Sequence, residues 1–185
     1  MKGFISVIIL SLSMIAALAQ QDTEVSGMSY PIDEATGLIT YKEVVQEPGI
    51  KDTLFNRGAA WLHTFYSNPW DAAKTRDQST GLIRIQHQFR IYDFGPDGSK
   101  TDAGMILYSA KIEFKDDRYR VQIDNFVYKQ ISRYPVEKWL DKSAPDYNPK
   151  WESYLAQIDF FARTELIGSL KKGMKPGKQF KEEDW

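Results

Sequence analysis

The chain predicts an α+β fold: a single antiparallel sheet with two helices on one face, in the order β-α-β-β-β-β-α. Two patterns predict it. Apolar residues alternate with polar ones over 83–91, 106–114 and 119–123, the period of strands buried on one side only. Apolar residues recur at intervals of three and four over 54–65 and 151–170, the period of helices that bury a single stripe.

Each element can be justified in turn. The first strand spans 38–46, where Ile39, Thr40, Tyr41, Val44 and Val45 cluster before a Pro48-Gly49 turn. A helix over 51–66 follows, with Leu54, Gly58, Trp61, Leu62 and Phe65 on one face, and Asn68-Pro69 ends it. A weak strand lies at 73–77. The turn Ser79-Thr80-Gly81 leads into a strand with Ile83, Ile85, His87, Phe89 and Ile91 on one side and Arg84, Gln86, Gln88 and Arg90 on the other. Gly95-Pro96-Asp97-Gly98 closes a hairpin, and Ile106, Tyr108, Ala110, Ile112 and Phe114 form the next buried row. Asp116-Asp117 turns into a last strand with Tyr119, Val121 and Ile123 inward. The connection 132–147 carries Pro135, Trp139 and Pro145; at about 15 residues it is longer than most and either wraps the surface or carries a site. Asn148-Pro149 opens the second helix, as a cap followed by proline in the first turn. Its stripe is Trp151, Tyr154, Leu155, Ile158, Phe161, Ala162, Leu166 and Leu170, ending at Gly173.

The ends of the chain differ in character. Lys2, the apolar run 4–14 and the small-residue site Ala17-Leu18-Ala19 before Gln20 read as a signal peptide over 1–19. The run is too short for a membrane span, so no transmembrane segment is expected in the mature chain. No cysteine follows it, which argues against a lipid anchor. Residues 20–35 read as a flexible leader, 36–173 as one domain, and the charged tail 174–185 as disordered. The expected location is exported, periplasmic or extracellular.

Composition narrows the function. The 185 residues include no cysteine and carry 24 basic against 25 acidic side chains, so the fold of an exported chain rests on its apolar core rather than on disulfides. Ten Tyr, ten Phe and five Trp make that core feasible.

The element order is joined by short motifs that resemble a known family. These are Tyr41-Lys42-Glu43-Val44-Val45 with Pro48-Gly49, Lys51-Asp52-Thr53-Leu54-Phe55-Asn56-Arg57 leading to Trp61, Asp117-Arg118-Tyr119-Arg120, Tyr134-Pro135-Val136-Glu137 and the terminal Asp184-Trp185. Across 38–173 the chain resembles a family of exported bacterial domains of unknown function with a TATA-binding-protein-like (TBP-like) fold. The resemblance implies the fold and assigns no reaction.

It does not imply DNA binding. A DNA saddle needs a basic sheet face and apolar wedges. Here the polar face carries Arg84, Arg90, Lys111, Arg118 and Arg120, interrupted by Glu113 and Asp124, charges that can pair across strands. With a net charge of -1, no nucleic-acid partner is expected.

Catalytic motifs are absent. There is no cysteine nucleophile, Gly-x-Ser-x-Gly elbow, phosphate-cradling glycine loop or His-Glu-x-x-His helix. His63 falls off the apolar stripe, and His87 reads as a core histidine satisfied by a hydrogen bond. Asp93, Asp97 and Gly98 imitate part of a calcium loop, but Gly104 stands where the bidentate Glu belongs, and hairpin chemistry explains the same residues. Asp93-Phe94-Gly95 matches a kinase triplet with no other kinase element present. No cofactor and no metal are expected.

Two functions survive. The first is a non-catalytic module binding an unidentified envelope protein or small ligand, through Trp139, Trp185 or the face bearing Arg84, Arg90, Arg118 and Arg120. The alternative is a small-molecule-binding or weakly hydrolytic domain centred on His87.

Overall fold

The polar and apolar alternation of the central strands builds one sheet in which every pairing is antiparallel. The computed structural model describes residues 29–129 and 133–176. The predicted signal peptide, residues 20–28 of the leader, and the tail from 177 through Trp185 lie outside them. The strands are β1 (Tyr41–Gln46), β2 (Ala73–Asp77), β3 (Leu82–Phe94), β4 (Lys100–Lys115), β5 (Arg118–Lys129) and β6 (Arg133–Pro135). Their order is β1-β5-β4-β3-β2, with β6 also on β5. β1 pairs with residues 118–123 of β5 and β6 with 127–129, so the two short strands share one edge. β6 has no counterpart in the sequence reading, because three residues are too few to show a period.

Register places the apolar rows side by side. Ile83, Ile112 and Val121 align across β3, β4 and β5, as do Ile85, Ala110 and Ile123, and all six are buried. Helix α1 (Lys51–Phe65) covers this face with Leu54, Phe55, Trp61 and Leu62. Gly58 is required there: a Cβ on it would stand 2.4 Å from Phe114 Cζ. The helix forgoes about 1 kcal/mol of propensity at that position and in return lies close enough for Phe55 to meet the Phe114 ring edge-on at 5.8 Å. Pro69 does not simply end the helical region. Asn68 caps a further short helix, α2 (Pro69–Ala72), which runs into β2.

The second helical stripe is interrupted. Helix α3 (Lys150–Phe160) continues through a π-helical turn (Phe161–Ile167) into α4 (Gly168–Gly173). The buried positions Ile158, Ala162, Leu166 and Leu170 keep steps of four through this turn, and Phe161 and Ile167 are buried beside them, so both halves face the sheet. The packed chain also passes Gly173: Met174 is fully buried, and the Lys175 ammonium lies 2.7 Å from the buried Glu47 carboxylate. At the other end Ile32 bridges Ile39, so the last leader residues pack against the domain.

The long connection runs over the surface in its second half, 140–149, but its first half turns inward and does not leave Trp139 free. β6 leads into a 3-10 turn (Val136–Leu140) that drives Val136 and Trp139 into the core. Trp139 is 1 % exposed and stacks on Trp151 with centroids 5.9 Å apart. As an anchor for a partner it is corrected: its ring is already filled in by Trp151, Tyr154 and Tyr128.

Candidate functional site

The face of the sheet opposite the helices is where polar side chains collect, because each strand's alternation sends them there. Its shape comes from a bulge. Between Leu107↔Val127 and Ser109↔Asp124, β5 has one residue more than β4, and Asn125 takes up a left-handed conformation with φ 54°. An extra residue bends and twists a strand pair. It also swaps the faces, so that Ile123 and Phe126, three apart, are both buried.

Two adjoining depressions lie along this part of the sheet, each about 260 Å³. Gln86 and Ser109 line both. One is edged by Lys74, Arg84, Lys111 and Asp124. The other is edged by Gln88, Leu107, Asn125 and Arg133.

Ion pairs partition the charges of this face. Glu113 sits directly opposite Arg120; Arg120 Nε donates to its carboxylate at 2.8 Å, and Lys111 stands 3.3 Å away. Burial alone would raise the Glu113 pKa, but those two cations outweigh it and hold it below the usual carboxylate value. Arg90 pairs with Asp102. Gln122 Nε2 donates to Asp124 at 2.7 Å. Arg84 is different: it faces Lys111 across the ladder and makes no ion pair or hydrogen bond through its side chain with any described residue. Arg118, at the start of β5 opposite Gln46, is exposed and also lacks an ion pair among the described residues.

The predicted site residues therefore separate. Arg84 borders a depression; Arg90 and Arg120 are committed to carboxylates; Arg118 stands apart near the β4–β5 turn; Trp139 is core; Trp185 lies outside the described residues. Lys74, Ser109 and Gln122 join Arg84 although sequence reasoning did not select them. Lys74 reaches this face through the register shift between Ala73 and Thr75, which no local pattern announces.

His87 is half-buried and meets the Tyr66 ring edge-on at 5.0 Å. Its imidazole makes no hydrogen bond with a described residue, so the expectation of a satisfied core histidine is corrected to one held by ring packing. Beneath it the Tyr66 and Tyr108 hydroxyls share a buried hydrogen bond of 2.8 Å. Burial, joined by the neighbouring Tyr108 hydroxyl, pushes Tyr66 far above the ordinary tyrosine value; burial raises Tyr108 as well, against the lowering effect of its hydrogen bond with Tyr66. His63 is exposed beside Trp70.

Comparison with known proteins agrees with this architecture. Residues 41–129, from the start of β1 to the end of β5, match a family model described as a domain of unknown function (DUF4468) with TBP-like fold. A TBP-like protein from Parabacteroides distasonis superposes with a TM-score of 0.63 at 17 % identity, covering 80 % of this chain and 99 % of that one. A DUF4468 family protein from Bacteroides ovatus gives a TM-score of 0.62 at 14 % identity, covering 81 % and 94 %. The chain thus has the TBP-like fold of these proteins. No curated protein matches the sequence. No helix among the described residues is long and apolar enough to cross a membrane.

Proposed function

We propose that this chain is an exported, non-catalytic binding module that holds its ligand on the open face of the sheet. The observation that carries the reading is the pair of adjoining depressions across β3, β4 and β5, joined through Gln86 and Ser109, on the face the helices leave uncovered. Concave sites with a few convergent polar groups are the usual form of small-ligand sites. Export is supported by the leader over 1–19. The mature protein then begins at Gln20, which the mass of the protein recovered from cells would check.

A photo-crosslinking residue at Gln88, on the open face, and another at Thr164, exposed on the helical side, test the binding surface in the source cell. The expected result is an adduct at Gln88 alone. An adduct only at Thr164, or none at Gln88, overturns the reading.

A second reading, small-molecule binding or weak hydrolysis centred on His87, draws on the same depression, which His87 and Tyr108 help to line. His87→Phe separates the two: a role confined to ring packing predicts changed stability with ligand capture intact.

A further inference from the structure

Arg84 and Lys111 occupy directly opposed positions on neighbouring strands. Such pairs hold their Cβ atoms about 5 Å apart, and like charges there are destabilising. Sheets ordinarily relieve the conflict by placing an acid between or beside the pair, and β4 and β5 do so one step along the ladder, where Glu113 faces Arg120 and also reaches Lys111. Lys74 is answered by Asp71, 3.6 Å away and largely exposed. Lys111 is answered by Glu113, and Asp124 accepts from the Gln122 amide. Of the cations that line the depression, Lys74, Arg84 and Lys111, Arg84 alone has no carboxylate partner among the described residues.

We propose that the depression beside Arg84 is a subsite for a carboxylate on a small hydroxylated molecule of the size of an acidic monosaccharide. The inference rests on the open-face binding reading and specifies its ligand class. A single unmatched guanidinium suits a monoanion, and its planar fork matches a carboxylate through two parallel hydrogen bonds. Lys111 stands across the ladder to share the charge. The remaining polar lining is Ser109, Gln86 and Gln122, with the Asp124 carboxylate held by the Gln122 amide; these groups offer both donors and acceptors to ligand hydroxyls. The volume, about 260 Å³, is below that of most drug-sized sites and suits one sugar ring.

The test is titration of the intact, isotopically labelled protein with glucuronate, glucose and inorganic phosphate, followed by amide NMR. Glucuronate should shift the amides of Arg84, Gln86, Ser109 and Lys111, more weakly as salt is raised, while glucose should not. Arg84→Gln, at an exposed position that leaves the core intact, should weaken glucuronate binding by about tenfold or more, the range of a charge-assisted hydrogen bond. Arg118→Gln, on the same face but outside the depression, should leave it unchanged. Equal binding by wild type and Arg84→Gln overturns the subsite, as does a lack of response to glucuronate. A response to phosphate without one to glucuronate overturns the carboxylate assignment. If the Gln88 crosslink forms while glucuronate fails, the binding module stands and only the subsite falls.

Discussion

The two faces of the sheet are made from the same three long strands, yet they are built on opposite terms. On the helical side Ile83, Ile112, Val121 and their neighbours are closed off from water by α1, α3 and α4, and contacts are apolar and dense. On the other side Arg84, Gln86, Lys111, Glu113, Arg120 and Gln122 face solvent, and the ion pairs among them are those of Glu113 with Lys111 and Arg120. Burial stabilises the first face at roughly 1.5–3 kcal/mol for each large side chain. Exposed pairs on the second contribute about 0–1 kcal/mol each. The difference suggests that the helical face holds the fold and leaves the open face free to vary its chemistry. A TBP-like sheet without a strongly basic open face fits that division.

Substitutions can sharpen or break this contrast. The largest effect is expected from Phe114→Ala, which removes a ring buried beneath α1 and should destabilise the domain by about 3–5 kcal/mol, read from the midpoint of urea unfolding. A loss under about 1 kcal/mol would mean that the helical face is not the seat of stability. Gly58→Ala comes next. Helix propensity predicts a gain of about 1 kcal/mol, whereas the 2.4 Å approach to Phe114 predicts a net loss of about 1–3 kcal/mol from overpacking. The sign of the change in melting temperature decides between them.

On the open face Arg120→Ala should cost under about 1 kcal/mol in denaturant titration, because its partner Glu113 retains Lys111. A larger loss would show the polar face sharing in the fold. The smallest expected effect is at Asp77, on the turn between β2 and β3. Hydrogen bonds from Ser79 and Thr80 hold its carboxyl down to about 2. A pKa depressed in the folded state means that the stabilisation is present above the unfolded value near 4 and is lost as pH falls from about 4 towards 2. Asp77→Asn should therefore flatten the fall in stability over that window, measured as urea midpoints against pH, with a small loss at neutral pH.

The legible parts of the molecule were those whose pattern is local. Residues 106–114 alternate without interruption and lie within β4, which begins earlier, at Lys100; α1 starts at Lys51 and ends at Phe65, one residue short of the expected Tyr66. Legibility ends where pairing shifts register. After Ile123 the alternation breaks, and only the bulge at Asn125, seen against β4, explains why Phe126 is inward. The candidate site was half legible: Arg84 was named, while Lys74 and Ser109 depend on register shifts in neighbouring strands. Trp139 looked available because its segment has no period, but a side chain can be buried by residues distant in sequence.

The sequence by itself determined the fold class and the order of the longer elements, since strand and helix periods and turn chemistry are properties of neighbouring residues. It also determined that the domain would be held by apolar packing without disulfides. Only the tertiary structure decided which charges would find partners. Arg84, Arg90 and Arg120 are alike in the sequence, and it is the register of β3, β4 and β5 that gives Arg90 and Arg120 a carboxylate and sets Arg84 against a lysine. Ion pairing acts over a few ångströms between chain segments far apart in sequence, so it becomes defined only when the strands are aligned.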